Sequence, residues 1–354
     1  MSERDSILIV KTGALGDVLR TTSILPGLFK RYPGAEVTWA VAEGARSLLD
    51  GQPGVEACVL DLDRPEELIG ALAGRRFSLV VSLEEERACC EVAGAVDAER
   101  LVGACLDESG DPVYTEDSAA WFDMSLISRL GRERADELKA SNERTHPELL
   151  ASALGVEEGR PSLILSEGEE EQAAERWERE GLASAELVVG LNTGAGARWP
   201  SKQLDIERTI ETALSIREGA PSEPAFFVLG GPEEEERNQE LLGGLRSSGL
   251  QAATSGSTNT LREFAGLVSR CDLVITSDSF CLHAAIARRV PVVAFFAPTS
   301  AAEIELYGLG EEVRSTAPDY CSYKPDTDNA TITPRRLAEA ALRVLELGSE
   351  EASR

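Results

Sequence analysis

Long apolar runs, clustered positive charge and paired cysteine spacings are all missing from this chain, and each absence removes a class of function. The uninterrupted apolar stretches fall far short of the ~20 residues of a membrane span, and the opening MSERDS is charged, with none of the apolar core of a signal peptide. A cytoplasmic protein is expected. With 35 Lys+Arg against 62 Asp+Glu the formal net charge is −27, which argues against nucleic acid as a partner, since phosphate binding needs clustered cations. It also argues against broad adhesion to anionic lipid, leaving at most peripheral membrane contact. Arginine far outnumbers lysine, the pattern of proteins from a salt-rich cytoplasm, where a highly charged surface stays soluble.

Seven cysteines, an odd number, are scattered without C-x-x-C spacing, and the neighbours Cys89 and Cys90 cannot form an unstrained disulfide. They are expected to be free thiols, and no metal site is expected. No G-x-G-x-x-G, GKS/GKT, G-x-S-x-G or H-E-x-x-H sequence occurs. A dinucleotide fingerprint, a P-loop, a hydrolase elbow and a zinc-protease helix are therefore unsupported.

What is present is a strand–helix rhythm. A chain of 354 residues, 42% hydrophobic, exceeds the size at which one core keeps growing, so two α/β domains are expected. Apolar runs at Ser6–Val10, Glu36–Val41, Ala57–Leu60, Leu79–Ser82 and Arg100–Gly103 read as strands with helices between, hence a doubly wound parallel sheet. The first helix, opening at Asp17, is expected to run through Leu25 and Leu28 to Tyr32. From Ala104 to about Leu154 the rhythm breaks, with an apolar helical stretch from Trp121 to Ile127; His146, before Pro147, reads as a helix start. Glu167–Glu171 reads as a solvated acidic helix start. A second α/β domain follows, with strands at Leu187–Leu191, Ala225–Leu229, Leu273–Thr276 and Pro291–Phe296. The resulting division is residues 1–165, residues 166–335 and a C-terminal helix and tail over 336–354.

Polar loops follow several of these strands. KTGALGD (11–17) has Gly13 and Gly16 for a sharp turn or close approach and Asp17 at the helix start; as an ordinary turn, it would use Asp17 as the cap. NTGAGARWP (192–200) and GGPEEEE (230–236) are glycine turns into helices. Ser277, Asp278 and Ser279 are short polar residues able to cap a helix whose free amides and positive dipole end suit a diphosphate, and His283 lies about one turn on, able to share a crevice with Asp278. Open α/β sheets bind ligands outside the carboxyl ends of their strands, so a phosphorylated ligand held between the two halves is the expectation.

The stretches ILIVKTGALGDVLRTTSILPGL, NTGAGARWPSKQ, FFVLGGPEEEE and DLVITSDSFCLHAAIARRVPVVAFFAPTS occur in the order and spacing of glycosyltransferase family 9, which this chain resembles over nearly its whole length. The resemblance implies a GT-B architecture, two Rossmann-like domains facing a central cleft, and inverting transfer of a sugar from a nucleotide diphosphate donor. The family includes the lipopolysaccharide heptosyltransferases, so the donor implied is an ADP-sugar, ADP-heptose, with no essential metal. The acceptor implied is a glycan or lipid-linked saccharide at the inner face of the cytoplasmic membrane. The N-terminal domain would take the acceptor and the C-terminal domain the donor.

By the motif match the family's catalytic aspartate falls on Asp17. Inverting transfer needs a base for the acceptor hydroxyl's proton, and a partly desolvated turn that raises the carboxylate's proton affinity would help. The donor-phosphate lysine position falls on Arg198; Arg198 and Lys202 would stabilise the leaving diphosphate. Thr193 and Gly194 would approach the nucleotide, and Asp278, Ser279 and His283 match the D-[ST]-G-x-x-H signature of the donor sugar and phosphates. Two positions depart from the pattern. Phe280 stands where glycine is usual, its ring expected to fill space near the donor, and Arg20 follows GDVL where histidine is frequent. A nucleotide-sugar-binding homologue without activity and another GT-B enzyme, such as a nucleotide-sugar epimerase, are the alternatives.

Overall fold

The computed structural model describes residues 5–196 and 199–352. The chain divides into two compact units, Met1–Ile164 and Leu165–Arg354. The first holds β1 (Ser6–Val10), β2 (Glu36–Val41), β3 (Val55–Val59), a short separate pair β4 (Arg76–Phe77) with β6 (Asp97–Ala98), β5 (Leu79–Ser82), β7 (Leu101–Leu106) and β8 (Pro112–Tyr114). Its six-stranded sheet runs β3-β2-β1-β5-β7-β8, parallel except for the β7–β8 pair. The helices of this unit are α1 (Leu15–Thr21), α2 (Leu25–Arg31), α3 (Pro65–Leu72), α4 (Arg87–Ala95), α5 (Ala119–Phe122), α6 (Arg132–Ala140) and α7 (His146–Leu154).

The second unit repeats the plan. Strands β9 (Val188–Asn192), β10 (Ala225–Leu229), β11 (Gln251–Thr254), β12 (Leu273–Ser277), β13 (Val292–Phe296) and β14 (Gly310–Arg314) form an all-parallel sheet in the order β11-β10-β9-β12-β13-β14. The helices are α8 (Glu167–Arg179), α9 (Ile206–Gly219), α10 (Glu235–Ser247), α11 (Leu261–Val268), α12 (Phe280–Arg288) and α13 (Pro334–Ala352). Successive residues of these strands serve opposite cores. Val189, Leu191, Phe226, Val228, Ile275 and Phe295 pack on one side with residues of α9, α10 and α13. On the other side Val188, Phe227, Leu229, Val274, Val292 and Phe296 pack with residues of α11 and α12. Burial on both faces is why these segments read as unbroken apolar runs.

In each unit the chain winds outward from the first strand on one side and then returns to its other side, so the topological switch point lies between β1 and β5 in the first and between β9 and β12 in the second. The loops after β1, β9 and β12 contain KTGALGD, NTGAGARWP and Ser277–Ser279, while GGPEEEE follows β10.

Three expectations need correction. The first helix is not continuous to Tyr32: Pro26, at the start of α2, has no amide to give and its ring crowds the carbonyl four residues back, so Thr22–Ile24 tightens into a 3₁₀ turn. Between Trp121 and Ile127 only the beginning is helical. Side chains there compete for the backbone, with Ser125 Oγ accepting from the Ile127 amide and Ser128 Oγ donating to the Asp123 carbonyl. The acidic start of α8 is also more than a solvated face. Ser166 and Glu169 form a capping box, Glu169 also takes the Arg262 guanidinium at 2.5 and 2.6 Å, and Glu170 pairs with Arg288. Strands β11 and β14 were not foreseen from the sequence.

Gly103 fixes how closely β7 approaches β5. Its φ is +115°, and a Cβ there would lie 1.8 Å from the Ser82 carbonyl oxygen. Gly103→Ala is expected to lower unfolding free energy by about 3 kcal/mol in urea melts. Gly70→Ala, where no atom lies within 4 Å of the new Cβ, should instead raise it by about 0.5–1 kcal/mol.

Candidate active site

In the first unit the loop after β1 is organised by a carboxylate from the loop after β5. Glu84, only 8% exposed, accepts at Oε1 from Lys11 Nζ (3.0 Å), the Thr12 amide (2.8 Å), Thr12 Oγ1 (3.1 Å) and the Gly13 amide (3.0 Å). A buried carboxylate is costly unless donors of this kind surround it. Sequence reasoning missed Glu84, whose signal was the acidic run 84–86 directly after an apolar strand.

Asp17 is not the helix cap: Ala14 holds that position, and Asp17 sits one turn in. Its side chain, 34% exposed, lies 3.0 Å from the Arg20 guanidinium and 3.8 Å from Lys11 Nζ. Asp17 is thus a part-exposed carboxylate with a cation on each of its oxygens. Arg20 also lies over the Trp121 ring at 5.8 Å, and Trp121 meets the buried His146 edge-on at 4.9 Å. Gly13 opens to empty space and Gly16 is buried inside α1. Burial pushes the nearby Cys89 and Cys90 thiols up to about 12 and about 11, so they are packing groups and not nucleophiles.

At the switch point of the second unit, Asp278 is the centre. Lys202 Nζ donates to its carboxylate at 2.8 Å and its carbonyl at 2.6 Å, and His283 Nε2 lies 3.5 Å from its other oxygen. Burial alone would push the Asp278 carboxyl up, but Lys202 and His283 outweigh it and hold it well below the usual range. Asp278 and His283 therefore meet as their spacing implied.

The expected capping by short polar side chains does not occur. Ser279 occupies the N-cap of α12 without a side-chain cap bond; its hydroxyl instead meets Thr276 Oγ1 at 3.1 Å and receives Asn192 Nδ2 at 3.2 Å. Asn192, which also donates to the Gly194 carbonyl at 2.8 Å, is a second residue that sequence reasoning missed. The Thr193 hydroxyl is turned inward onto Asn238 and the Leu229 carbonyl, and the Gly194 amide and carbonyl both bond the Asn192 side chain. Arg198 lies outside the described residues. The Phe280 ring, part-buried, lies 6.0 Å from Phe264 and packs against the α11 and α12 core.

Among the described residues no cluster of three His, Cys, Asp or Glu side chains could hold a metal, and no helix is long and apolar enough to cross a membrane. Two Rossmann-like units, each with a charged constellation at its switch point, define a GT-B glycosyltransferase.

The model of glycosyltransferase family 9 (heptosyltransferase) matches residues 143–328, and the chain belongs to that family. Lipooligosaccharide heptosyltransferase 2 of Haemophilus influenzae is 24% identical over 319 residues, covering 83% of this chain and 84% of its own. A family 9 glycosyl transferase from Veillonella parvula superposes with a TM-score of 0.77 at 22% identity, covering 98% of both chains. The ADP-heptose LPS heptosyltransferase II of E. coli gives 0.67 at 19% identity, covering 97% of this chain and 99% of its own.

Removing one partner of a buried ion pair leaves the other charge uncompensated. Lys202→Met is expected to cost about 3 kcal/mol at pH 7, and adding Asp278→Asn should restore part of it; strictly additive losses would mean the pair is not coupled. Because Asp278 is held below its unfolded value, its contribution is full above about pH 4 and fades as pH falls toward the folded value. In Lys202→Met, where burial acts on Asp278 without its main cation, the loss on acidification should shrink or turn into a gain, as read by urea melts across pH 3–7.

Proposed function

We propose that this enzyme transfers a heptose, with inversion, from ADP-heptose to a hydroxyl of a lipopolysaccharide-type acceptor, with Asp17 as the general base. The observation that carries this reading is Asp17 itself, a part-exposed carboxylate at the switch point of the first unit, in contact with Lys11 and Arg20. The relatives support the choice of sugar and acceptor, since they are lipooligosaccharide and lipopolysaccharide heptosyltransferases, one of them named with ADP-heptose.

In this scheme the acceptor oxygen attacks the anomeric carbon as the bond to the diphosphate breaks on the opposite face. Asp17 takes the hydroxyl proton, and ADP leaves with the bonding pair. The departing charge needs donors already in place. Lys202 is committed to Asp278, so the first-turn amides of α12, which no side chain caps, are the donors we assign, with Arg198 as the cationic partner that the family resemblance implies. Asp278 orients His283 toward the same place. No metal is assigned a role, and the first unit would take the acceptor and the second the donor. A lipid-linked acceptor would bring the enzyme to the cytoplasmic face of the membrane as a peripheral visitor. Packing of Phe280 against Phe264 favours this reading over an inactive homologue in which that ring obstructs the donor.

Calorimetry with ADP, GDP and UDP, and ADP release from ADP-heptose with a heptose-deficient lipopolysaccharide core, test the proposal. Asp17→Asn should bind ADP normally and lose about 10²–10⁴ in kcat, and Asp278→Ala should weaken ADP binding. A folded protein that binds none of the three nucleotides would sink the transferase reading, and preference for GDP or UDP would sink the ADP-heptose assignment.

A further inference from the structure

The Lys11 ammonium stands between two carboxylates, 3.0 Å from Glu84 and 3.8 Å from Asp17. Glu84 is nearly buried and its Oε1 also gathers the Thr12 and Gly13 amides and the Thr12 hydroxyl. Tying a turn accounts for the amides. It does not account for a buried carboxylate also taking the one ammonium that reaches the base. We propose that Glu84 is a positioning residue for Asp17: it pins Lys11 and the 12–13 backbone beside the base and, by taking the larger share of the ammonium's charge, leaves Asp17 able to accept a proton from the acceptor hydroxyl.

This inference rests on the reading of Asp17 as base, and its physical content is a charge balance. The charged or titratable groups facing Asp17 and its loop include Lys11 from the loop after β1, Arg20 on α1, Glu84 from the loop after β5, and Cys89 on α4 behind Thr12. Cys89 is kept neutral, foremost by burial and then by Glu84. Neutralising Glu84 would remove a nearby negative charge and release Lys11 toward Asp17. Both effects favour the ionised form of Asp17 and weaken it as a base.

The test follows the Asp17 carboxyl carbon by NMR in the full-length chain labelled with [4-¹³C]aspartate, its signal assigned by loss in Asp17→Asn. In Glu84→Gln, which keeps an acceptor oxygen for the loop amides, the Asp17 titration midpoint is expected to fall by about one pH unit. In Lys11→Met, which removes the cation, it should rise. An Asp17 midpoint unmoved in folded Glu84→Gln overturns the proposal. Should that variant not fold, Lys11→Met decides, and an unmoved or lowered midpoint overturns it. The readout needs no substrate, so it is separable from the transfer assay: an Asp17→Asn enzyme that still transfers sugar would refute the base while leaving the coupling of Glu84, Lys11 and Asp17 measurable.

Discussion

A lysine held by a buried carboxylate at the switch point is the constraint on which both units depend. Where two parallel strands end side by side and their loops diverge, backbone amides and carbonyls lose their sheet partners and must be satisfied by something else. In the first unit that is Glu84 with Lys11, and in the second Asp278 with Lys202. The correspondence is topological. Each carboxylate follows the strand lying next to the first strand of its sheet, β5 beside β1 and β12 beside β9, and each lysine follows the first strand itself.

The two units use this device differently. Lys202 donates to both the carbonyl and the carboxylate of one residue, which locks the loop after β9 onto the start of α12 and leaves little of its charge for a ligand. Lys11 is instead shared between two carboxylates, Glu84 and Asp17. Burying either ion alone would cost several kcal/mol, so neither arrangement can loosen without exposing a charge in a poor solvent. Rigid placement of amides and side chains at strand ends is what a group-transfer site needs, because donors already aimed at developing charge need no reorganisation during reaction.

The legible parts of the chain were those where a physical pattern has one cause. Strands buried on both faces read as unbroken apolar runs, and Glu36–Val41 and Leu79–Ser82 are found with the bounds read from sequence. Edge strands such as β14, whose Gly310–Arg314 carries two glutamates and an arginine, lack that signal because one of their sides is open. Asp278 and His283 were legible because helical spacing alone brings them together. Glu84 was not: a glutamate in an acidic run reads as solvated surface, and its burial follows from a fold that brings residue 84 beside residues 11–13. Ser279 and Thr193 were legible as site residues but not in their orientation, since which of several local acceptors a hydroxyl chooses is decided by neighbours such as Asn192 and Asn238.

The stretch least regular in sequence reaches the centre of the first unit. Residues 104–154 supply Trp121, which lies under the Arg20 guanidinium, and His146, which meets Trp121 edge-on from the start of α7. The arginine in turn touches Asp17. Thr145 caps α7 with its side chain and Pro147 stands in the first turn, so the position of His146 is set by a helix start with little freedom. Asp17 thus touches two cations with different origins. Lys11 is held by Glu84 at a parallel sheet's switch point, whereas Arg20 lies over an aromatic pair from a segment outside the repeating strand–helix plan. A change in that segment would reorient Arg20, and with it the surroundings of an acceptor hydroxyl, without disturbing the sheet that places Asp17. Placement of Asp17 and placement of the Arg20 guanidinium beside it are separable on physical grounds in this unit.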